Sequence, residues 1–178
     1  MTVDYRLASQ DDAESIAAVY RPYVEDSRVS FEDVAPDAAE MARRIAGNAP
    51  GLYPWLVAEE HRRVLGYAAS SPFRTRRAYR WCVEISIYLT AEAYGRGIGR
   101  ALLTRLLERP QSQGFVSAIG AIALPNDPSV LLHEALGFTH AGTYREVGFK
   151  PGEWIDVGLW QRDLAPRTAS PQEPAAPR

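Results

Sequence analysis

The sequence predicts an α/β domain of the α+β type, in which about four helices flank a twisted, mixed but mostly antiparallel sheet of about seven strands. Three observations lead to this prediction. Apolar residues at helical spacing alternate along the chain with short runs rich in β-branched residues. A glycine-rich turn near residue 97 joins a strand to a helix. Residues 115–124 then form a nearly continuous apolar run, which is typical of a strand buried on both faces of a sheet.

The chain begins with a short predicted strand and two predicted helices. The strand covers residues 3–7, and the first helix covers residues 11–24, beginning at an Asp that can cap it. Pro22 predicts that this helix ends or kinks early. The second helix covers residues 38–46, and a stop signal follows it at residues 48–51.

Three further runs predict a meander of antiparallel strands. They are rich in apolar and β-branched residues and cover residues 55–59, 64–71 and 83–89. The polar stretch of residues 60–63 is the expected turn between the first two strands.

The glycine-rich turn and the apolar run predict a parallel pair of strands. A helix begins at Gly97, and the strand of residues 115–124 is expected to lie parallel to residues 83–89 through a right-handed crossover. Asp127 is expected to cap the next helix, with a proline at its first position.

A final strand pair and a tail complete the prediction. The strands cover residues 138–144 and 154–161, around a turn at residues 150–152. Residues 165–178 contain four prolines and almost no large apolar side chain, so they cannot repay the entropy of ordering. The predicted domain therefore covers residues 1–164, and a disordered tail follows it.

Charge and composition favour a protein that binds small molecules. The formal net charge of −2 gives no broad basic face, so nucleic acid is not an expected partner. The sequence shows no N-terminal signal pattern and no apolar run near the roughly 20 residues that a membrane span needs. Cys82 is the only cysteine, and its apolar neighbours Trp81 and Val83 indicate an inert thiol. We therefore expect a cytoplasmic protein with no membrane association.

The turn after the strand of residues 83–89 has the composition of an anion cradle. Gly95, Gly97 and Gly99 permit positive φ angles and a close approach of the backbone, while the following helix adds partial positive charge at its N-terminus. A phosphate group is the expected ligand. The spacing matches neither the common ATP loop nor the dinucleotide fingerprint, so we expect a pyrophosphate other than that of ATP or NAD.

Glu84 lies inside the apolar run of residues 83–89, where a carboxylate is unfavourable unless it has a partner or a chemical role. Partial burial would raise the pKa of this carboxyl group towards the range useful for a general base. The alternative is an ion pair with a nearby arginine such as Arg80.

Several separate motifs together resemble the GNAT superfamily of acetyl-CoA-dependent N-acetyltransferases and, within it, the phosphinothricin N-acetyltransferase subfamily. The resemblance runs from about Tyr5 to Leu164. It depends on motifs that occur in the family's order, at residues 53–59, 78–81, 95–99, 124–130, 133–138 and 148–154. The resemblance implies the GNAT fold, acetyl-CoA as co-substrate, no metal and a homodimer whose surface involves the C-terminal strands. Trp154 and Trp160 are expected in the core or in that dimer contact.

The resemblance also implies which residues bind coenzyme A. The pyrophosphate is expected at the backbone of Tyr94, Gly95, Arg96, Gly97, Ile98, Gly99 and Arg100. The pantetheine arm is expected to pair with the strand backbone of Ile87, Tyr88 and Leu89, much as a peptide adds to a sheet edge. Asn126 either hydrogen-bonds pantetheine or only shapes the turn before its helix, and both roles are compatible. Tyr94 stands where the superfamily usually has Gln or Arg.

For catalysis, the resemblance assigns the general base to Glu84, acting directly or through water, because an ammonium group cannot attack a thioester. His133 occupies a position near the leaving thiolate. It is expected to relay the amine proton, to protonate the thiolate, or only to form hydrogen bonds within the site.

The acceptor is expected at Phe31, Arg74, Arg76 and Tyr79, since guanidinium groups suit carboxylate and phosphinate oxygens. The alternative for the arginines is a solvated charge run, in which Arg77 replaces an asparagine common in the family.

The implied reaction is a direct transfer of acetyl to the α-amine of a small amino-acid-like molecule such as phosphinothricin, methionine sulfoximine or methionine sulfone. Two alternatives remain open. One is an acetyltransferase of another amine, namely a protein N-terminus, a polyamine or an ordinary amino acid. The other is an acyl-CoA-binding sensor without catalysis, against which the presence of both Glu84 and His133 argues.

Overall fold

The structure is a computed structural model that describes residues 2–47, 51–150 and 152–176. Within these residues the strands are β1 (Asp4–Leu7), β2 (Trp55–Glu60), β3 (Arg63–Pro72), β4 (Cys82–Leu89), β5 (Ser117–Ala123), β6 (Thr139–Lys150) and β7 (Glu153–Asp163). The α-helices are α1 (Ala13–Glu25), α2 (Ala38–Gly47), α3 (Ile98–Ser112) and α4 (Asp127–Ala135). No helix among these is long and apolar enough to cross a membrane.

The strands form one sheet in the order β1-β2-β3-β4-β5-β7-β6. All neighbouring pairs are antiparallel except β4 and β5, which are parallel and joined by the α3 crossover. The predicted sheet type and the parallel pair are therefore confirmed. Pairing between β4 and β5 runs only as far as Ile85 and Gly120, whereas β4 continues to Leu89. Beyond Ile85 the two strands separate, which leaves an opening in the middle of the sheet.

Helices cover the two faces of the sheet with separate apolar clusters. The α1 and α2 helices pack on one face, through residues such as Ile16 and Met41. The α3 helix packs on the other face, where Val83 and Ile85 of β4 contribute to the cluster. Because side chains alternate along a strand, Glu84 points to the α1 and α2 face.

Several predicted element boundaries need correction. The α1 helix continues to Glu25 with the exposed Pro22 inside it, so the early end predicted from this proline is wrong. A proline in the last turn removes only one N–H donor, and its ring faces solvent. The cap of α4 is Asn126 and not Asp127, because the Asn126 side chain accepts a hydrogen bond from the Ser129 N–H at 3.3 Å.

The final strand pair is longer than predicted, and one of its tryptophans lies in the core. The β6 and β7 strands form an extended antiparallel hairpin, interrupted by an irregularity between Tyr144 and Gly148. Trp160 is buried in the α3-side cluster, as expected for a structural residue, whereas Trp154 is 62% exposed. Pro151 in the predicted hairpin turn and residues 48–50 in the predicted stop signal lie outside the described residues.

The segment after β7 contacts the domain as far as Ala175, whose N–H donates to the Gln113 carbonyl oxygen at 3.0 Å, and the disorder predicted for residues 165–178 stays a prediction. It contains neither helix nor strand in the described part. The Trp81 indole N–H donates to the Gln172 carbonyl oxygen at 2.8 Å, and Arg80 pairs with Glu173 at 2.8 Å. Composition shows that the tail lacks apolar anchors, but it does not show that the domain offers these polar partners.

Candidate active site

The glycine-rich turn forms an open cradle before α3. Gly95 and Gly97 adopt φ angles of 71° and 74°, and nothing lies within 4 Å of the position that a Cβ atom would occupy at either residue. Gly97 is the N-cap of α3, so the free N–H groups of the first helical turn point out of the same turn. These features fit a phosphate group, as predicted from the sequence.

The third glycine of the turn has another role than the one predicted. Gly99 lies inside α3 and has no positive φ. A Cβ atom at Gly99 would lie 3.0 Å from Leu89 Cδ1 and 3.7 Å from Ile87 Cδ1. This glycine therefore allows the helix to approach β4 closely, which brings the cradle next to the strand edge.

The residues on either side of these glycines contribute in different ways. Ile98 is buried in the core, and Arg100 is exposed on the first turn of α3. The Arg96 guanidinium pairs with Glu60 at 2.8 Å. The exposed Tyr94 hydroxyl lies 2.8 Å from the hydroxyl of Tyr23. Of these predicted cofactor residues, Ile98 can take part only through its backbone.

Only two of the three β4 residues predicted to pair with pantetheine direct their backbone groups into the opening of the sheet. The Thr90 N–H donates to the Leu65 carbonyl oxygen, and in an antiparallel pair alternate residues hydrogen-bond to the neighbouring strand. Ile87 and Leu89 therefore direct their N–H and C=O groups away from β3, whereas those of Tyr88 point towards β3. The backbone of Tyr88 thus pairs with β3, and its partly buried ring packs on Tyr23.

A residue that the sequence reasoning missed occupies this edge. The Tyr23 hydroxyl donates to the Leu89 carbonyl oxygen at 2.6 Å and accepts from the Leu89 N–H at 3.2 Å. Burial raises the pKa of Tyr23, so its hydroxyl keeps the proton that it donates. No signal in the sequence distinguishes Tyr23 from the other aromatic residues of α1.

Glu84 is half-buried, and the positive charge of Arg74 acts on its carboxyl group. Burial raises the pKa of the Glu84 carboxyl group, and the positive charge of Arg74 opposes that rise. The ion pair with Arg80 considered above is not formed, because Arg80 pairs with Glu173 and lies over the Trp81 ring at 3.6 Å. The carboxyl group thus has the properties expected of a general base.

Two of the predicted acceptor residues converge on β6. Arg74 Nη2 lies 3.4 Å from the Tyr144 hydroxyl, and the Phe31 ring fills the space beside Gly148. Tyr144 was missed because its position beside Arg74 depends on long-range pairing of β6. All four predicted residues are exposed, and the other two make no contact with β6 among the described residues: Arg76 lies on the surface, and Tyr79 packs edge-on against Phe73 at 5.7 Å.

His133 lies on the opposite face of the sheet from Glu84. It is only 3% exposed, and its Nδ1 lies 2.7 Å from the Ser129 carbonyl oxygen, so Nδ1 carries the proton. The buried Nε2 therefore has a free lone pair, and it has no hydrogen-bond partner among the described residues. Burial lowers the pKa of His133, which keeps the ring neutral.

A glycine of β5 makes room for the His133 ring. A Cβ atom at Gly120 would lie 2.7 Å from both Cδ2 and Nε2 of His133. Gly120 is also the last β5 residue paired with β4, so Nε2 points at the place where the sheet opens. An isolated glycine in an apolar strand is the sequence signal that indicates such a close approach.

A cleft of about 1070 Å³ lies at the carboxyl ends of these strands. Its lining comes from the end of α1 and the loop after it, from the turn before α4, and from the β6–β7 hairpin. Asn126 lines this cleft in addition to capping α4, so both roles considered for it are sterically compatible. Glu84 and Arg74 do not line the cleft, and we locate the acceptor site by the charge of Arg74 acting on Glu84 and by the contact of Arg74 with Tyr144.

Comparisons with known proteins agree with this geometry. The model of the acetyltransferase (GNAT) domain matches residues 5–159. A phosphinothricin N-acetyltransferase of Streptomyces viridochromogenes is 40% identical over 175 residues, which cover 98% of this chain and 94% of the relative. An L-methionine sulfoximine/L-methionine sulfone acetyltransferase of Pseudomonas paraeruginosa is 33% identical over 172 residues, which cover 96% of this chain and 100% of the relative.

A solved structure gives the same result. The crystal structure of a GNAT superfamily phosphinothricin acetyltransferase from Sinorhizobium meliloti, in complex with acetyl-CoA, superposes with a TM-score of 0.91 at 43% identity. The match covers 97% of this chain and 95% of that chain.

The chain belongs to the GNAT acetyltransferase family. It is an acetyl-CoA-dependent N-acetyltransferase, and the predicted fold, enzyme class and co-substrate are confirmed. The open cradle at Gly95 and Gly97 fits the pyrophosphate of that co-substrate. No group of three or more His, Cys, Asp or Glu side chains suited to a metal ion occurs in the part of the chain that the structure describes.

Proposed function

We propose that this enzyme acetylates the α-amine of a small amino-acid-like acceptor of the class of phosphinothricin, methionine sulfoximine and methionine sulfone. The observation that carries the proposal is that Arg74, whose charge acts on Glu84, lies 3.4 Å from the Tyr144 hydroxyl of β6, and that the Phe31 ring packs against the same strand at Gly148. Relatives that share most of the chain's length act on such acceptors by their names, which supports the proposal.

In this proposal the acceptor is held at its anionic end. Arg74 binds a carboxylate or phosphinate oxygen, and the Tyr144 hydroxyl adds a second polar group at 3.4 Å from the guanidinium. Arg76 and Tyr79 stand at the exposed side of the same segment, where they guide the acceptor towards the site. Phe31 closes the apolar side against β6.

Coenzyme A is proposed to lie with its pyrophosphate at the Gly95–Gly97 turn and its pantetheine arm along Ile87 and Leu89. Asn126 is a further hydrogen-bonding group on this path. Bound acetyl-CoA supplies the acetyl group as a thioester. The N–H group of Ile87, and that of Leu89 once it leaves the Tyr23 hydroxyl, are the backbone donors available to polarise a carbonyl oxygen there.

The chemistry divides between the two faces of the sheet. Glu84 takes a proton from the acceptor ammonium on the α1 and α2 face, directly or through water, so that the nitrogen lone pair becomes available. The N–C bond to acetyl then forms and the C–S bond breaks. The nitrogen loses its second proton in this step, so the thiolate can leave as a thiol while the first proton passes from Glu84 to solvent.

His133 serves the thiolate side in this scheme. Its Nε2 carries a lone pair and faces the opening of the sheet, so a neutral His133 accepts a hydrogen bond there. A neutral imidazole cannot donate from that atom, which argues against a resting role as the acid. Of the roles considered from the sequence, a proton relay or an orienting hydrogen bond is supported by this geometry.

We further propose that the enzyme is a cytoplasmic homodimer that assembles through the β6–β7 hairpin. Val147, Phe149 and Trp154 are 56%, 58% and 62% exposed on this hairpin, which is a large apolar surface for a single chain. Burial raises the pKa of the Cys82 thiol to about 11, so the lone cysteine stays reduced and inert, as suits the cytoplasm. Light scattering that gives twice the chain mass would support the dimer, and a single-chain mass would exclude it.

The experiment that tests the proposed function is thiol release from acetyl-CoA with purified enzyme and a panel of amines. The panel contains phosphinothricin, methionine sulfoximine, methionine sulfone, the common amino acids, spermidine and short peptides. Saturable turnover on the first three supports the proposal. Turnover only on peptides or spermidine would retain the enzyme class and discard the acceptor class.

A further inference from the structure

Lys150 is the only lysine of the sequence, and it is buried at the end of β6. Its side chain is 9% exposed. The ammonium nitrogen Nζ donates to the Val24 carbonyl oxygen at 2.9 Å and to the Glu32 carbonyl oxygen at 3.0 Å. Every other Lys or Arg position of the sequence is an arginine, so a lysine occurs at this position only.

The acceptors of this ammonium are unusual. Among the described residues Lys150 forms no ion pair, and both of its hydrogen bonds go to backbone carbonyl groups. Burial of an ammonium group without a carboxylate partner is unfavourable unless other acceptors hold it. The Val24 carbonyl belongs to the last turn of α1, where the helix dipole favours a cation.

The two carbonyl groups belong to the start and the middle of one connection. Val24 lies in the last turn of α1, and Glu32 lies eight residues later, just after Phe31 and halfway along the loop to α2. Lys150 therefore ties the end of α1 and the middle of this loop to β6. The Phe31 ring packs beside Gly148, two residues before Lys150 on the same strand. The loop and Lys150 together form one wall of the cleft of about 1070 Å³.

We propose that Lys150 is a positioning residue for the acceptor site: its ammonium group clamps the α1–α2 loop onto β6 and so sets the Phe31 ring against the bound acceptor. This inference rests on the acceptor proposed above. It assigns to Lys150 no contact with the reacting atoms. A lysine suits this position because its compact ammonium presents three donors in a small volume, whereas the guanidinium fork of arginine is wider.

The first test separates acceptor binding from coenzyme binding. Lys150→Met keeps the length of the side chain and removes the ammonium, so the loop loses both attachments. We expect KM for the acceptor to rise about tenfold, because misplacement by a fraction of an ångström has effects of this order, while KM for acetyl-CoA stays within about twofold. Lys150→Arg keeps the charge, and its KM for the acceptor is expected between those of the wild type and Lys150→Met.

A matched control removes an exposed cation from another element. Arg43→Gln changes a side chain of α2 that is 76% exposed, and all kinetic constants should stay at wild-type values. Equal increases in both KM values for Lys150→Met, or no change in either, would overturn the proposal. If wild-type enzyme acetylates none of the small acceptors, that result contradicts the proposed acceptor class. It does not contradict the clamp, which the labelling experiment below tests separately.

The second test uses wild-type enzyme and therefore does not depend on a variant that folds. Because the sequence has one lysine, an amine-reactive acylating reagent can label only Lys150 and the chain's N-terminal amine, and mass spectrometry of peptides separates the two. Labelling of Lys150 should be slow, and methionine sulfoximine at saturation should slow it further, since an acceptor packed on Phe31 stabilises the clamped loop. Labelling as fast as that of a free lysine, or a rate unaffected by the acceptor, would overturn the clamp.

Discussion

The hydroxyl group of Tyr23 makes two hydrogen bonds to the backbone of Leu89, at 2.6 Å to its carbonyl oxygen and 3.2 Å to its nitrogen. A side chain of α1 thereby satisfies the strand edge where β4 has separated from β5. The same backbone groups are the ones proposed for the pantetheine arm. The free enzyme consequently holds this edge in an extended conformation while protecting it from solvent.

Replacing Tyr23 by Phe tests this relationship. The variant removes the hydroxyl but keeps the ring that packs on Tyr88 at 5.0 Å. If pantetheine replaces the Tyr23 hydroxyl at the Leu89 backbone, the variant loses the Tyr23 hydrogen bonds in the free enzyme but loses nothing in the complex. Coenzyme A should therefore bind about fivefold more tightly, the equivalent of about 1 kcal/mol. Calorimetric titration measures the affinity. Weaker binding would show that Tyr23 and the coenzyme occupy Leu89 together.

Glu84→Gln should lower turnover by about 10²- to 10⁴-fold, because the amide cannot take a proton from the acceptor ammonium. Coenzyme affinity should remain unchanged, since the side chain lies on the other face from the α3 cradle. Steady-state kinetics and calorimetry check the two parts. Full activity in this variant would remove Glu84 from the mechanism.

The same variant should also be more stable than wild type at neutral pH. Burial raises the pKa of Glu84, so the stability that this group contributes is fully present below its unfolded pKa and is lost as the pH rises through the raised value. Glutamine does not ionise, so the variant does not lose stability as the pH rises. Thermal unfolding should give a higher Tm for Glu84→Gln at pH 7 and a smaller difference near pH 4.

The pH dependence of kcat/KM should report the charge of Arg74. Activity should rise with pH as the Glu84 carboxyl group ionises, and the Arg74 cation holds the pKa of that group below the value that burial alone would give. Arg74→Met should therefore move the rising limb to higher pH, whatever its effect on acceptor affinity. Arg74→Lys keeps the charge and serves as the control. An unmoved limb in Arg74→Met would show that another group controls the profile.

Gly120→Ala should displace His133, because the new Cβ would lie 2.7 Å from two atoms of the buried ring. Overpacking of this kind costs about 1–3 kcal/mol, and each kcal/mol lowers Tm by about 2–4 °C in a domain of this size. Turnover should fall together with Tm. Gly47→Ala, with nothing within 4 Å of its Cβ, is the matched control.

A double variant distinguishes displacement of His133 from general strain. In the His133→Ala background, Gly120→Ala should cost much less stability, because the clashing ring is gone. An equal cost in both backgrounds would place the clash elsewhere.

Gly97→Ala should weaken coenzyme A binding through the pyrophosphate. The residue adopts a φ of 74°, where a side chain costs about 1–2 kcal/mol, so the turn should relax away from its cradle shape. We expect about a tenfold rise in KM for acetyl-CoA. Acetylpantetheine, which lacks the pyrophosphate, should be used equally well by both enzymes. A parallel loss with acetylpantetheine would mean that the helix start itself is displaced.

Local patterns predicted the elements of this fold well. The turn at Gly95 and Gly97 and the parallel β4–β5 pair follow from glycine placement and apolar runs, both of which are local in sequence. The position of Glu84 inside an apolar strand is likewise a local signal, and the catalytic role predicted from it stays a prediction. The turn and the apolar runs can each be recognised in a short stretch of sequence, and the right-handed crossover rule then gives the parallel pairing.

Contacts between residues that are distant in the sequence could not be predicted from it. Tyr144 meets Arg74 across 70 residues, and Tyr23 meets Leu89 across 66 residues. The choice of Asn126 over Asp127 as the cap depends on a backbone angle that both residue types allow. The placement of Glu84 and His133 on opposite faces could be predicted only in part. The alternation of side chains around Glu84 fixes the face on which it lies, but the side of the sheet that α4 covers depends on its packing.

The contacts of the C-terminal segment bear on how the protein can be handled. Gln172 and Glu173 hold Trp81 and Arg80, which directly follow the segment that carries Arg76 and Tyr79. A purification tag or fusion partner joined directly after Glu173 would be attached next to the residues that contact Trp81 and Arg80. One joined ahead of β1 would extend from the far edge of the sheet, so amino-terminal fusions are the better choice for immobilising this enzyme or attaching a reporter to it.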